Sequence, residues 1–423
     1  MKKISVMLII ISLILSVLGS CTSTKVKVEA PKVIVEDILY DDDDENPKDD
    51  PEILYETSTE VLEIESFDGY MLKGRLTLPK GAKDVSKLVI YVNGSGANTY
   101  LNRRKGFNMF DSFNSRFANL GVAFFSYSTR GVELGNEPPM YFELNEEDYQ
   151  KYLPLTQTED IYCMINVLKE NERLKNCEVY LLGASEGTII APLVAEKYPD
   201  TVDGLLLWGY VNINMKDVLI WQNSGGPSMV WYRGHFEADD QGRISKEAYE
   251  ADPNNVIASV LGNISFEDID NNADGYLVEE DFIELWQTIT GYTLDDLLSA
   301  IESRDDEWLR NNYGSSNGVS IIPLTSAWFL EHFTLRPNME VLPTLDLPIY
   351  IFHGTLDQNC DVREVYKINE KFKELGKTNL TINVFAGHDH SLNYDQLISH
   401  NKMPDGIQAI FDTVAEINIG KEK

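Results

Sequence analysis

The sequence predicts an α/β protein with a mostly parallel central sheet and helices on both faces of that sheet. Several short runs are almost entirely apolar: residues 88–92, 122–127 and 179–182. Uniform runs of this length are typical of strands buried on both sides. Segments with helical patterning, at 107–120 and 158–171, separate these runs. Strands that alternate with helices in this way form parallel sheets.

Composition limits the classes of protein to consider. The chain has 423 residues, of which 43% are hydrophobic, so it can bury a large core in one or two domains. Its formal net charge of −32 argues against nucleic acids or anionic membrane surfaces as partners of the folded part. Cys163, Cys177 and Cys360 show neither metal-ligand spacing nor a disulfide pattern, and we interpret them as buried thiols.

The first residues predict export. Residues 1–20 have the pattern of a signal peptide, because a basic start precedes an apolar run, 4–18, that is too short to span a membrane comfortably. The sequence Leu18-Gly19-Ser20-Cys21 resembles the lipobox of bacterial lipoproteins. This resemblance implies cleavage before Cys21, lipidation of Cys21, and a membrane-anchored lipoprotein of the cell envelope. The alternative is an ordinary secretory signal with a chance cysteine. Residues 21–55 are strongly acidic and predict a linker.

The folded part begins near residue 56. Apolar and polar residues alternate on both sides of Asp68-Gly69, which predicts a β-hairpin over 60–78. The helix at 158–171 is predicted to begin with Thr158 as its N-cap. Near the end of the chain, two further strands are predicted at 348–352 and 380–385. Two further helices are predicted at 361–375 and 404–417.

A glycine-flanked serine gives the strongest functional pattern. Gly183-Ala184-Ser185-Glu186-Gly187 lies between the apolar run 179–182 and a predicted helix, 188–198. A strand, a G-x-S-x-G turn and a helix form a nucleophile elbow, in which the serine stands on a sharp, strained turn. The flanking glycines allow the strand and the helix to pass close together. The pattern predicts Ser185 as a nucleophile; a glycine-rich turn with a chance serine is the alternative.

The elbow, the hairpin and the order of strands resemble α/β-hydrolases of the bacterial esterase, thioesterase and prolyl-oligopeptidase-like kind. The resemblance covers residues 60–210 and 345–418. It implies an α/β-hydrolase fold built from 56–210 and 341–423. It also implies that 211–340, which interrupts the alternation of strands and helices, is a helical lid.

The resemblance also implies a catalytic triad in the order serine, acid, histidine. The acid belongs on the loop after the seventh strand, which selects Asp357. Asp361 is the competitor, but it stands where a helix N-cap is expected. The base belongs after the last strand, where the family's usual spacing from a glycine selects His390. His388 remains an alternative.

Two backbone N–H groups are expected to hold the oxyanion. The resemblance assigns one to Glu186, the residue after the nucleophile. It assigns the other by position to Ser95, with Gly96 as the alternative. Asn93 stands where related enzymes often have histidine, but a backbone donor does not depend on that side chain.

The predicted lid contains a second motif. Residues 270–281 have the spacing of an EF-hand calcium loop, with Gly275 at the sharp turn and Asp in place of the usual Glu at the last position. The predicted metal ligands offer oxygen at positions 1, 3, 5, 7 and 12: Asp270, Asn272, Asp274, Tyr276 through its carbonyl, and Asp281. The alternative is an acidic turn that caps a helix. Residues 237–248 echo the motif, but Ala248 at position 12 cannot ligate a metal.

These patterns predict a serine hydrolase that cleaves a small-molecule carboxylic ester or thioester through an acyl-enzyme. We expect no cofactor for catalysis, and Ca²⁺ in the lid in a structural role. The expected partners are the substrate and, through the N-terminal lipid, a membrane; nucleic acid is not expected. One alternative is a serine peptidase that acts on short peptides. The other is a non-catalytic, calcium-binding surface lipoprotein, against which the complete triad argues.

Overall fold

The structure is a computed structural model that describes residues 56–82, 85–104, 107–137, 141–313, 315–316, 319–320, 323–400 and 402–419. The predicted signal peptide, Cys21 and the acidic linker lie outside these residues. Within the described part of the chain, no helix combines the length and the apolar character that crossing a membrane requires.

The main sheet has eight strands in the described part of the chain. They are β1 Thr57–Glu65, β2 Met71–Pro79, β3 Lys87–Val92, β4 Ala123–Tyr127, β5 Glu178–Ala184, β6 Gly204–Trp208, β7 Ile349–Gly354 and β8 Leu380–Phe385. Their order across the sheet is β1-β2-β4-β3-β5-β6-β7-β8. The pairs β1–β2 and β2–β4 are antiparallel, and the other pairs are parallel. The prediction of a mostly parallel α/β sheet is therefore confirmed, and this strand order with the elbow after β5 defines the α/β-hydrolase fold.

The helices follow in chain order. They are α1 Met109–Asn119, α2 Glu146–Tyr149, α3 Pro154–Lys169, α4 Gly187–Lys197, α5 Met215–Gln222, α6 Gly226–His235, α7 Lys246–Ala251, α8 Val256–Ser259, α9 Ile283–Thr290, α10 Leu294–Ser303, α11 Asp306–Asn312, α12 Ser326–Thr334, α13 Asn338–Val341, α14 Val362–Glu374, α15 Asp395–His400 and α16 Asp405–Ile419. Apolar faces of α1 and α16 pack on one side of the sheet, and those of α3, α4 and α14 pack on the other. Helices on both faces are thus also confirmed.

Strand β3 shows how the sequence produces these two layers. All six of its residues are buried. Because successive side chains of a strand point to opposite faces, Leu88 and Ile90 join the core on one side of the sheet. Val89 and Tyr91 join the core on the other. A strand with two buried faces is apolar along most of its length, which is the pattern at residues 88–92. Lys87 at the start of the strand is the exception, and it pairs with Glu178 at 3.3 Å.

One predicted helix start is wrong. Helix α3 begins at Pro154, with Leu153 as its N-cap, so it starts four residues before Thr158. Proline suits a helix start, because its missing N–H is one that the first turn leaves unpaired in any case. The Thr158 hydroxyl instead donates to the carbonyl of Pro154 within the helix, at 3.0 Å.

The segment predicted as a lid runs between β6 and β7 and contains helices α5 to α13. It also contains a short antiparallel bridge that pairs Ile244 with Leu277 and Ser245 with Tyr276. Ile244 and Leu277 are the apolar residues at position 8 of the two EF-hand-like loops, so the loops face each other as a pair. A separate core that includes Tyr232, Phe236 and Phe282 lies beneath this bridge. We call residues 226–290 the paired-loop unit.

Candidate active site

Ser185 stands on a strained turn at the end of β5. Its φ angle is +53°, a left-handed conformation that costs a residue other than glycine about 1–2 kcal/mol. The Ser185 N–H donates to the Trp208 carbonyl at 2.9 Å, and the Ser185 carbonyl accepts the Thr188 N–H at 2.8 Å. Strand β6, through Trp208, and helix α4, through Thr188, therefore both hold the turn in place.

The two glycines of the elbow are required by close backbone contacts. A Cβ atom on Gly187 would lie 2.2 Å from the carbonyl oxygen of Val92. A Cβ atom on Gly183 would lie 2.3 Å from the carbonyl oxygen of Gly187. No side chain fits at these separations, so Gly183 allows strand β5 to approach the start of helix α4, and Gly187 allows α4 to approach the end of strand β3.

The loops after β7 and β8 bring Asp357 and His390 together. Nδ1 of His390 lies 2.8 Å from Oδ2 of Asp357, and both side chains are buried. The other carboxylate oxygen of Asp357 accepts the N–H groups of Asn359 and Cys360, each at 2.8 Å. These bonds hold the carboxylate in place and leave the second ring nitrogen of His390 available for proton transfer.

Opposing effects set the charges of this pair. Burial favours the neutral forms, but the charge and the hydrogen bond of Asp357 outweigh it and raise the pKa of His390 above its ordinary value. Burial likewise opposes ionisation of Asp357, but His390, His353 and the backbone N–H groups lower the pKa of this carboxyl. Asp357 therefore stays ionised and stabilises a protonated His390.

His353 lies directly behind the pair. Its Nδ1 accepts the N–H of Tyr210 at 3.1 Å, so the ring hydrogen is on Nε2. Nε2 lies 3.0 Å from the Cys360 carbonyl oxygen and 3.5 Å from Asp357 Oδ2. Burial lowers the pKa of His353, so this ring is neutral and supports the Asp357 carboxylate as a donor.

Asp361 and His388, the alternatives to Asp357 and His390, have other hydrogen-bond partners in the structure. Asp361 accepts the Arg363 N–H as the N-cap of α14. Nδ1 of His388 faces the carbonyl of Ala386 at 3.1 Å. Within the described residues, Asp357 is thus brought together with His390, and neither competitor is hydrogen-bonded to that pair.

The loop after β3 passes over Ser185. A Cβ atom on Gly94 would lie 3.3 Å from the Cβ of Ser185. The side chain of Asn98 fixes the loop by donating to the carbonyls of Gly94 at 2.9 Å and Gly96 at 3.2 Å. This close, fixed approach explains why the loop carries glycine where it crosses Ser185.

The loop and the elbow together present two free backbone donors. The N–H of Gly96 is occupied, because it donates to the Tyr152 hydroxyl at 3.1 Å. Within the described residues, the N–H groups of Ser95 and Glu186 have no hydrogen-bond partner. Of the two candidates on the loop, Ser95 is therefore the one whose amide is available to an oxyanion.

The side chain of Glu186 is a feature of the site that the sequence analysis missed. It is 1% exposed, and its carboxylate is surrounded by four groups with N–H or O–H hydrogens. These are Tyr152 Oη, Gln157 Nε2 at 2.7 Å, Trp328 Nε1 at 2.9 Å and His332 Nε2 at 3.0 Å. A charged residue between Ser185 and an apolar helix was the available signal. Its partners are distant in the sequence and follow no local pattern.

Asp357 and His390 also lie close to a thiol. The Asp357 carboxylate, the Cys360 sulfur and a ring nitrogen of His390 all lie within 4.8 Å of one another. Burial raises the pKa of Cys360 well above its ordinary value, and the charges of Asp357 and Asp361 raise it further. The sulfur therefore keeps its proton and is a poor metal ligand, so the group is best explained as the His–Asp pair beside a buried thiol.

The predicted metal ligands share one loop in the paired-loop unit. Asp270 accepts the Gly275 N–H at 3.0 Å, Asp274 accepts the Tyr276 N–H at 2.9 Å, and Asp281 accepts the Val278 N–H at 2.9 Å. Within the described residues, these three carboxylates do not cluster within 4.8 Å of one another as the Asp357 group does.

Asp281 is the most enclosed of the predicted ligands. Burial raises the pKa of Asp281, and the charges of Asp270 and Asp274 raise it further against backbone hydrogen bonds that lower it. In the upstream loop, by contrast, the Asp239 carboxylate already pairs with the Arg243 guanidinium at 2.8 Å.

The chain has an α/β-hydrolase fold, with an eight-stranded sheet and Ser185 on a sharp turn after β5. No protein-family model matches the sequence, and no curated protein matches it either. Several solved structures are similar to it at low identity. An esterase from Exiguobacterium antarcticum is 16% identical, with 84% of this chain and 98% of that chain covered and a TM-score of 0.41.

Two further solved structures are also similar to this chain at low sequence identity. A thermostable carboxyl esterase from Bacillus coagulans is 14% identical, with 86% of this chain and 98% of that chain covered and a TM-score of 0.47. An acylaminoacyl peptidase from Pyrococcus horikoshii is 12% identical, with 86% of this chain but only 41% of that chain covered and a TM-score of 0.45.

Proposed function

We propose that this protein is a serine hydrolase that cleaves carboxylic esters or thioesters through a covalent acyl-enzyme. The observation that carries the proposal is the buried bond between His390 and Asp357 on loops at the carboxyl ends of β7 and β8. Ser185 stands at the carboxyl end of β5. Because these strands are parallel, their carboxyl ends meet at one edge of the sheet.

In the proposed mechanism, Nε2 of His390 takes the proton of the Ser185 hydroxyl as the serine oxygen bonds to the substrate carbonyl carbon. The electron pair of the carbonyl moves to its oxygen, which accepts the N–H groups of Ser95 and Glu186. Each such donor contributes about 10²–10³-fold to the rate. Asp357 stays ionised and stabilises the imidazolium.

The tetrahedral intermediate then collapses. The bond to the leaving oxygen or sulfur breaks, and the leaving group takes the proton from His390 and departs as an alcohol or thiol. His390 next takes a proton from water, whose oxygen attacks the acyl carbon. The second collapse releases a carboxylic acid and returns the proton to Ser185.

The test is Ser185→Ala, with hydrolysis of short p-nitrophenyl esters and labelling by a fluorophosphonate probe as readouts. We expect labelling to disappear and kcat to fall by about 10³-fold or more. Ser115→Ala, an exposed serine on α1, is the matched control and should behave as wild type. Undiminished hydrolysis by Ser185→Ala would refute the assignment. A panel of esters, thioesters and short peptides then separates an esterase from the alternative, a peptidase.

We further propose that residues 270–281 hold Ca²⁺, which shapes the lid and takes no part in acyl transfer. Three carboxylates, the Asn272 amide oxygen and the Tyr276 carbonyl form an all-oxygen donor set of the kind that Ca²⁺ prefers. The pairing of Ile244 with Leu277 supports this proposal, because it joins the two loops at equivalent positions. We also propose that Cys21 is lipidated and anchors the exported protein to a membrane.

A further inference from the structure

The carboxylate of Glu186 occupies an unusual place for a charge. It belongs to the residue that follows the nucleophile, and it is fully enclosed. Burying an ion costs several kcal/mol unless hydrogen bonds replace its water. Here both oxygens are bonded: Oε2 to the Tyr152 hydroxyl, and Oε1 to Gln157, Trp328 and His332. The backbone of Glu186 is therefore held by its own side chain as well as by the turn.

Tyr152 extends this network to the other oxyanion donor. Its hydroxyl donates to Glu186 and accepts the Gly96 N–H at 3.1 Å. Burial raises the pKa of Tyr152 well above its ordinary value, and the charge of Glu186 raises it further, so the phenol keeps the proton that it donates. Gly96 is the residue next to Ser95. The carboxylate therefore fixes the loop immediately beside the Ser95 amide.

A third connection leads into the lid. Trp328 and His332 lie four residues apart on α12, and this spacing places both on one face of the helix. Each is 1% exposed and each points a ring nitrogen at the same oxygen of Glu186. The lid helix is thus bonded directly to the residue after the nucleophile.

We propose that Glu186 is a positioning residue whose carboxylate aligns both backbone donors of the oxyanion hole and links their alignment to the lid helix α12. This inference rests on the proposed serine hydrolase. The oxyanion forms only in the transition state, so loss of the alignment lowers kcat and leaves substrate binding almost unchanged. A displaced donor retains part of its effect, so the loss is smaller than that for a deleted one.

Two neighbouring tyrosines, Tyr152 and Tyr149, provide the test, because their hydroxyls differ in their hydrogen bonds. Tyr152→Phe removes the hydroxyl between Gly96 and Glu186. Tyr149→Phe is the matched control, because Tyr149 is also buried, its ring stacks on Tyr152 with centroids 5.3 Å apart, and its hydroxyl has no partner within the described residues. Glu186→Gln tests the carboxylate itself. The substitution replaces one carboxylate oxygen by an NH₂ group, which cannot accept the hydrogen bonds that the surrounding donors make to that oxygen.

The readouts are kcat and KM on p-nitrophenyl esters and the maximal rate of fluorophosphonate labelling at Ser185. We expect Tyr152→Phe and Glu186→Gln to lower kcat and the labelling rate by about 10–100-fold with KM within about twofold of wild type. Tyr149→Phe should match wild type. Melting temperatures show which variants fold, and if Glu186→Gln does not, the pair of tyrosine variants decides.

The outcomes separate the two proposals. If wild-type Ser185 does not react with the fluorophosphonate, the serine hydrolase and the role of Glu186 are both refuted. If wild type reacts and Tyr152→Phe keeps its kcat, or loses activity only through KM, the serine hydrolase stands and the positioning role is refuted. An equal loss in Tyr149→Phe and Tyr152→Phe would also refute it, because packing would then explain both.

Discussion

At the scale of single residues, the proposed base depends on one neighbour for its charge. Burial alone would keep His390 neutral, and the Asp357 carboxylate reverses this and raises the pKa of His390. Asp357 can do so because the N–H groups of Asn359 and Cys360 and the neutral His353 ring keep the acid ionised. The charge on His390 during catalysis is thus stabilised by a carboxylate that the surrounding backbone holds in place.

The pH profile tests this relation. The base must be neutral to accept the Ser185 proton, so kcat/KM should rise with pH through a midpoint above the ordinary histidine value of 6.5. In Asp357→Asn the charge that raises the pKa is lost and burial dominates. The midpoint should therefore move to lower pH, and kcat should fall by about 10⁴-fold. The measurement is kcat/KM from about pH 5 to pH 9.

Asp361→Asn is the control for this profile, because Asp361 caps α14 and is not bonded to His390. Its midpoint should equal that of wild type. A midpoint that stays in place or rises in Asp357→Asn would contradict the assignment of Asp357 as the partner of the base.

The residues of this site differ in how far the sequence reveals them. Ser185 is recognisable because its constraint is local: a turn, two glycines and the elements on either side. Asp357 and His390 each had a competitor, because their roles depend on which side chains meet across the ends of β7 and β8. The partners of Glu186 could not be predicted, because Tyr152 and His332 approach it only after the sheet and the lid have formed.

At the scale of elements, strands were easier to predict than helix ends. A strand buried on both faces is apolar along most of its length, so β3, β4 and β5 are visible in the sequence as nearly continuous apolar runs. The start of α3 was misplaced because Thr158 and Pro154 are both favourable near a helix start. The antiparallel bridge between the two EF-hand-like loops matches the spacing of their motifs, since position 8 of one meets position 8 of the other.

The paired-loop unit gives the prediction at this scale. The first loop contains its own cation, Arg243, bonded to Asp239, whereas Asp281 in the second loop is a buried carboxylate near Asp270 and Asp274. Ca²⁺ at about 100 times its Kd should stabilise the protein by about 2.7 kcal/mol. For a chain of this size, that corresponds to about 3 °C in melting temperature. Thermal unfolding with Ca²⁺ and with EDTA measures the difference.

Asp281→Asn should abolish the response to Ca²⁺, and Asp239→Asn should keep it. Titration calorimetry should show one bound ion per chain in wild type. Equal melting temperatures with Ca²⁺ and with EDTA, together with no heat of binding, would exclude the calcium proposal and favour the acidic turn that caps a helix.

At the scale of the whole molecule, the lid contacts both halves of the proposed catalytic machinery. Helix α12 is hydrogen-bonded to Glu186, the residue after Ser185. On the other side, Gln222 donates to the Asn359 carbonyl at 3.0 Å, and Arg363 pairs with Glu279 at 3.1 Å. Asn359 in turn donates to Asp357. The insertion is therefore part of the framework that holds Ser185, Asp357 and His390, and its removal should disturb both the turn at Ser185 and the loop that contains Asp357.

Attachment to a membrane is a prediction that concerns the whole molecule. With a net charge of −32, the protein gains no electrostatic attraction to anionic lipids, so the proposed attachment depends on acyl chains on Cys21. One acyl chain binds a bilayer only weakly, and stable anchoring needs at least two.

Cys21→Ala should therefore move the protein from the membrane fraction to the soluble fraction and remove labelling by radioactive palmitate. Fluorophosphonate labelling of Ser185 should persist, because the proposed triad lies in the folded domain. Cys163→Ala should keep both the label and the membrane location, and wild-type protein without palmitate would refute lipidation and favour an ordinary secretory signal.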